Sequence, residues 1–255
     1  MDDPVATVQR SAAALYGPAA TRPVHGVLHV VSAVEVDGRL HVIKIGPTAP
    51  KSEHDWFVLN YWRAHADAIV TTAAIVRAEP ALSHELQGAH AAYRSQRLHK
   101  SEPLVAILTR AGDLPLEHPV WRDRARNYVL TTPERATALQ ASLTTRATVT
   151  GIADLDLLRA IDWLFAQGAR CILIEAGPST ANQLYASGHG VDHLLLSRYL
   201  GGIDPSAIGG PLAAPARLFA GLSRVAATDI TEPSGLWRFE RWDRPSGAGS
   251  SPQRE

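Results

Sequence analysis

The sequence predicts an α/β domain built on a largely parallel sheet. Apolar runs of strand length alternate with segments whose apolar residues recur at helical spacing, as crossover connections between parallel strands require. One run, Cys171-Ile172-Leu173-Ile174, is apolar at every position and short, which suits a strand covered on both faces in mid-sheet. The chain has 255 residues, 45% of them hydrophobic, enough to bury one large core.

The elements follow in order. Gly26 to Val36 reads as a strand, with valines at 27, 30, 31, 34 and 36. Ser52 opens a helix, with Asp55 three residues on as in a capping box, and Trp56, Leu59 and Trp62 then recur at helical spacing. Asp67 to Thr71, Leu104 to Thr109 and Asn127 to Leu130 read as strands, Pro133 to Ser142 as a helix, and Ala147 to Ile152 as a strand. The next helix has the clearest stripe, Leu157, Leu158, Ile161, Leu164 and Phe165, and Gly168 stops it. After Cys171 to Ile174, Gly177-Pro178 opens a helix through about Ala186; strands follow at Val191 to Ser197 and Leu236 to Trp242, with a final antiparallel hairpin. The polar segment 83–102 reads as a helix and loop over the surface. Residues 1–24 read as an extension wrapping the surface, 25–243 as one domain, and 244–255 as a disordered tail without apolar area to bury.

Composition narrows the function classes. Lys plus Arg and Asp plus Glu both number 25, so there is none of the basic excess of a nucleic-acid binder. A small anionic substrate stays open, since it needs only a few local cations. The single cysteine, Cys171, excludes an internal disulfide and a zinc site built on cysteine pairs, and its apolar neighbours mark it as a buried small hydrophobe. No apolar run reaches the ~18 residues of a membrane span. The acidic start, Met1-Asp2-Asp3-Pro4, is unlike a signal peptide, so the cytoplasm is the expected compartment. The eleven histidines do not cluster at metal-ligand spacing. His84, His90 and His99 read as solvated; Trp56, Trp62 and Trp163 read as core; Asp162 and Asp192 read as surface and turn residues.

Three segments are candidates for chemistry. Glu175-Ala176-Gly177-Pro178-Ser179-Thr180 follows the all-apolar strand and starts a helix, where free amides and the positive end of the helix dipole favour a phosphate. This is also the carboxyl edge at which α/β sheets bind ligands. An ordinary strand-to-helix turn would look the same; the carboxylate of Glu175, costly at the end of an apolar strand unless paired or functional, tips the balance. Val34-Glu35-Val36-Asp37-Gly38 has the form of a common turn. Segment 66–80 runs a strand into small residues closed by Pro80, and a packed crossover would serve equally well.

The order and spacing of Glu35-Val36-Asp37-Gly38, Arg63-Ala64-His65-Ala66-Asp67-Ala68, Val76-Arg77-Ala78-Glu79-Pro80-Ala81-Leu82, Glu175-Ala176-Gly177-Pro178, Val191-Asp192-His193-Leu194 and Ile208-Gly209-Gly210 resemble the reductase domain of the riboflavin-biosynthesis deaminase–reductases and its stand-alone relatives, over residues 24 to 243. The resemblance implies a dihydrofolate-reductase-like three-layer fold with a mostly parallel central sheet, flanking helices and a C-terminal antiparallel hairpin. It implies a cytoplasmic homodimer that uses NADPH to convert a ribosylamino-pyrimidine 5'-phosphate to its ribitylamino form by hydride transfer to C1 of the sugar, without a metal. It places NADPH at Ala33, Glu79, Gly177, Pro178, Ser179, Thr180 and Ala181, the substrate at Arg63, Leu82 and Glu175, and catalytic acids at Glu175 and Asp37.

The sequence also departs from the family pattern. Glu35 replaces a serine, Ile75 replaces a threonine, one aspartate of the Asp-Asp-Pro turn is missing, and Pro47-Thr48-Ala49 replaces Ser-x-Trp. No arginine follows Leu82 closely, which leaves Arg94, Arg97 and Lys100 as cations for a substrate phosphate. Without Cys-x-x-Cys or His-x-Glu pairing, the zinc deaminase half of bifunctional relatives is not expected. The departures motivate two further readings: a same-fold reductase of another heterocycle, a pterin or a specialised metabolite, and a catalytically silent dinucleotide-binding protein.

Overall fold

A computed structural model describes residues 3–21, 24–122, 126–186 and 190–245. The predicted tail beyond Pro245 lies outside these residues.

The sheet has eleven strands: β1 (Gly26–Val36), β2 (Arg39–Ile43), β3 (Ala68–Thr72), β4 (Leu104–Leu108), β5 (Arg126–Thr131), β6 (Thr148–Gly151), β7 (Cys171–Ile174), β8 (His193–Tyr199), β9 (Ile208–Pro211), β10 (Ser223–Glu232) and β11 (Gly235–Asp243). Their order is β10-β11-β8-β1-β7-β3-β4-β5-β6, with β2 paired to β1 and β9 to β2. From β8 to β6 every neighbouring pair is parallel, and β11 and β10 close the other side as an antiparallel hairpin. The predicted α/β architecture and its C-terminal hairpin are present. The all-apolar β7 sits between β1 and β3 with all four residues buried, and Cys171 is buried with its thiol pushed up to about 12, chiefly by burial.

Helices cover both faces. On one lie α1 (Pro4–Tyr16), α2 (Glu53–His65) and α3 (Ala73–Ala78), with Leu15, Trp62 and Val76 packed on Ile69, Ile107 and Leu173. On the other lie α6 (Leu157–Ala166), the turn α7 (Pro178–Ala181) and α8 (Pro215–Leu218), over Val70, Ala106 and Ile172. The remaining helices are α4 (Gly88–Ala92), continued by a π turn at Tyr93–Arg97, and α5 (Pro133–Leu143). Among the described residues no helix is long and apolar enough to cross a membrane.

Several expectations are corrected. Within the expected surface extension, residues 4–16 form a helix with a buried face: Asp3 caps it, Pro4 occupies its first turn, and Val8, Ala12, Leu15 and Tyr16 are buried. Spaced by three or four, these apolar residues form a stripe that the alanines and proline around them obscure. Strands β2 and β9 were not anticipated, and β10 was expected only as the partner strand of the final hairpin, without bounds. The first two are short, and β10 alternates exposed and half-buried positions without a buried face. His84 is fully buried, whereas Trp56 is 63% exposed. Arg94 and Lys100 do not face the carboxyl edge. Arg94 donates to the carbonyls of Arg63, Ala64 and Ala66 at the end of α2, and Lys100 pairs with Asp67 at 2.7 Å just before β3. Both therefore close the amino edge of the sheet.

The carboxyl edge is stepped. Ile174, the last residue of β7, pairs with His29, while β1 continues seven residues further to Val36. Those residues bend into the tight β1–β2 hairpin at Asp37 (φ 49°) and Gly38 (φ 73°), the two left-handed positions of a type I′ turn. The step leaves a recess beyond β7 and β3, walled by β1 and α2.

Candidate active site

Glu175 is the first residue past β7, held to β3 by its N–H donating to the Val70 carbonyl at 2.8 Å. Arg63, near the end of α2, reaches it with a two-pronged contact: Nε donates to Oε1 at 2.7 Å and Nη2 to Oε2 at 2.6 Å. The side chains are 4% and 12% exposed. Burial alone pushes the Glu175 carboxyl up; the charge and hydrogen bonds of Arg63 outweigh it and hold the group below its usual range. A third prong, Nη1 of Arg63, donates to the Ser83 carbonyl at 3.1 Å and draws the loop after α3 onto the pair.

That loop brings three more groups. Glu79 caps the end of α3, and its carboxyl is raised, first by burial and then by the negative charge of Glu175. The Glu79 carbonyl accepts from Leu82 N at 2.9 Å and is joined to His118 Nε2 at 2.9 Å, while Val120 N donates to His118 Nδ1 at 3.1 Å. With Nδ1 accepting from Val120 N, Nε2 is the nitrogen that donates to the Glu79 carbonyl. His84 Nε2 lies 3.8 Å from Glu175 Oε2, and burial lowers its pKa to about 4, so it is neutral at pH 7.

On the other side of Glu175, Gly177 caps α7 and Pro178 takes its first turn. A Cβ built on Gly177 would meet nothing within 4 Å, so this corner is open to a ligand. The Thr180 and Ala181 amides turn inward onto the Gly177 carbonyl at 3.0 and 2.9 Å, and Ala181 is buried, while Ser179 is exposed. Gly209 and Gly210 of β9 form the adjoining wall: a Cβ on Gly210 would stand 2.9 Å from the Pro178 ring, and one on Gly209 2.7 Å from the Val42 carbonyl.

The fold thus gathers Arg63, Glu79, Leu82, Glu175 and the turn from Gly177 at one edge, although the Leu82 side chain is part of the core. It separates two expected site residues from them. Asp37 is exposed at the hairpin tip, seven residues past the level of Glu175, or roughly 23 Å along an extended strand. It therefore cannot share a reaction centre with Glu175 in this conformation. Ala33 is fully buried between β2 and β8, and its methyl has no surface to offer NADPH. Sequence reasoning placed His84 in solvent because its segment is polar, and it gave His118 no role. The nearest signal was His84 lying five residues after Glu79.

The comparisons agree with this architecture. The family described as RibD C-terminal domain matches residues 27–213. No curated protein matches the sequence. Among solved structures, a pyrimidine reductase-like protein of Corynebacterium diphtheriae superposes with TM-score 0.66 at 21% identity, covering 92% of this chain and 99% of the other. The deaminase/5-amino-6-(5-phosphoribosylamino)uracil reductase of Thermotoga maritima gives 0.62 at 15% identity, over 87% of this chain and 57% of that one. The riboflavin biosynthesis reductase of Saccharomyces cerevisiae gives 0.56 at 16%, over 92% and 99%. At these identities the superpositions speak for the fold, while the family match extends over well more than half of the sequence. The chain belongs to the RibD C-terminal domain family, the reductase family of riboflavin biosynthesis.

Proposed function

We propose that the protein is an NADPH-dependent reductase that converts a ribosylamino-pyrimidine 5'-phosphate to its ribitylamino form. The observation that carries this is the ionised Arg63–Glu175 pair beside the open Gly177-Pro178 turn, at the carboxyl edge of the sheet of a chain in this family. The turn fits a dinucleotide phosphate: Gly177 leaves room for close approach, and Gly177 and Ser179 contribute the amides that precede the first helical bonds. Because α7 spans only four residues before tightening, its dipole adds little and the amides carry the contact. A dinucleotide held by the Gly177 to Ala181 turn would supply the hydride for C1 of the sugar.

The chain's own residues orient and protonate. Arg63 fixes both oxygens of Glu175, which stays an acceptor for substrate N–H or O–H groups at neutral pH. Glu79, its affinity for protons raised by burial and by Glu175, is the better proton carrier of the two. His118 holds the Glu79 main chain in place. The homodimer and cytoplasmic location implied by the resemblance belong to the same proposal. β10, an edge strand from Ser223 to Glu232, pairs only with β11 among the described residues and is the natural seam for a second copy.

One observation favours a second reading, reduction of another heterocycle: Arg94 and Lys100 serve the amino edge, and Arg63 is already matched by Glu175. NADPH titration followed by its fluorescence tests cofactor use. The Gly177→Asp variant should abolish binding by placing an anion against the phosphates, while Gly177→Ala, at a φ of −60° and with open space around it, should bind as wild type. Unchanged NADPH affinity in Gly177→Asp would refute the turn assignment. Rescue of a reductase-deficient riboflavin auxotroph separates the first reading from the second. NADPH binding without oxidation of the cofactor by any pyrimidine or pterin substrate would mark a silent dinucleotide binder.

A further inference from the structure

Trp56 is the only exposed tryptophan among the described residues, at 63%. Its direction follows from its neighbours on α2. His54 turns toward the C-terminal hairpin, with Nδ1 2.5 Å from Glu232 Oε1 and its ring 5.9 Å from that of Phe239. Asp55 turns down onto β1, where the Ser32 hydroxyl reaches its two oxygens at 2.7 and 2.8 Å. Each helical residue rotates by about 100°, so Trp56 turns away from the hairpin, toward the β7 side. Arg63 confirms this: it lies seven residues on, on the same stripe as Trp56 and Asn60, and it meets Glu175 just past β7. β7 stops at the level of His29, whereas Asp55 is anchored opposite Ser32. Trp56 therefore stands on the β7 side of α2, past the level at which β7 ends and two helical turns, or about 10.5 Å, from Arg63.

We infer that Trp56 is the stacking platform for the planar nitrogen heterocycle of the substrate, and so a specificity-determining residue of this site. An exposed indole offers a flat apolar face on which a planar nitrogen heterocycle stacks. Glu175 and Glu79 lie two helical turns away, where they face the sugar end as acceptors for its hydroxyls, and the Arg63 guanidinium beside them is already matched. The separation of two helical turns accommodates a heterocycle with an extended pentose chain, leaving the sugar end toward Glu175. The inference rests on the reductase reading for the identity of the sugar end only; the stacking site stands without turnover.

The test is equilibrium binding of 5,6-diaminouracil, followed by tryptophan fluorescence and by calorimetry, with NADPH and ribose 5-phosphate as parallel probes. Wild type should bind the base with quenching. Trp56→Phe should bind within about threefold of wild type, and Trp56→Ala about tenfold more weakly, equivalent to about 1.4 kcal/mol, with NADPH and ribose 5-phosphate affinities unchanged. Wild-type affinity for the base in Trp56→Ala, no binding of the base to wild type, or an equal loss for NADPH would each overturn the inference. Absence of NADPH oxidation with base binding retained at Trp56 would instead overturn the reductase reading alone.

Discussion

The Arg63–Glu175 pair is the residue on which stability and chemistry meet. A carboxylate and a guanidinium withdrawn from water cost several kcal/mol each, and their mutual attraction recovers this only because the two-pronged geometry is good. Removing one partner strands the other. Arg63→Met should therefore destabilise by about 3–5 kcal/mol, read from urea unfolding at pH 7, and the double variant with Glu175→Gln should recover much of that loss. Additive losses would show that the two groups are not coupled. Because the folded pKa of Glu175 is depressed, its contribution is present above the unfolded carboxyl value and is lost as pH falls through the folded one. The difference between wild type and Glu175→Gln should narrow in acid.

At the scale of elements, α2 carries both ends of the candidate site, Trp56 in its first turn and Arg63 in its last, so its placement sets the recess. Its N-terminus is fixed by Ser52, whose hydroxyl accepts from Asp55 N at 2.8 Å and donates to Glu232 Oε1 at 3.1 Å, joining the helix cap to β10. Its C-terminus is closed by Arg94, which donates to the last carbonyls. Acids in the first turn and Arg63 and His65 in the last agree with the helix dipole. Ser52→Ala removes the cap and the tie to the hairpin, and should cost about 1–2 kcal/mol. A shift below about 0.3 kcal/mol in urea unfolding would show that the cap is dispensable.

Three histidines shape the behaviour of the whole molecule. Burial, the largest cause in each case, lowers His29 and His84 to about 4 and His65 to about 3. His29 shares a 2.6 Å hydrogen bond with the Tyr185 hydroxyl on the α6 face of the sheet, while His65 and His84 lie on the α2 face, so the effect spans both layers. Depressed folded values mean that the unfolded chain binds protons first. Stability is fully present above the unfolded histidine value of about 6.5 and falls as pH drops below it, by up to ~1.4 kcal/mol per pH unit per histidine. Between pH 7.5 and 5.5 the three together should remove roughly 4 kcal/mol. A flat unfolding free energy across that window would mean that these rings are already solvated in the native state.

Local pattern made the architecture legible. The continuous apolar run at Cys171–Ile174, the stripe of α6, the cap at Ser52 and the turn at Gly177-Pro178 each depend on neighbours a few residues away, and sequence shows neighbours of that kind. That Arg63, Glu79 and Glu175 would come together was legible from motif order. What only the tertiary structure decided depends on distance through space. Arg63 and Glu175 are 112 residues apart and meet because α2 packs across β7. His84 is buried, although its flanking residues are polar, because the Ser83 carbonyl ties its loop to Arg63. Trp56 looks like core by spacing, yet it stands open because β7 ends before the helix does. Asp37 belongs to the motif by order and is carried away from Glu175 by the extra length of β1. A sequence records periodicity; burial and proximity follow from how long each strand runs relative to the strand beside it.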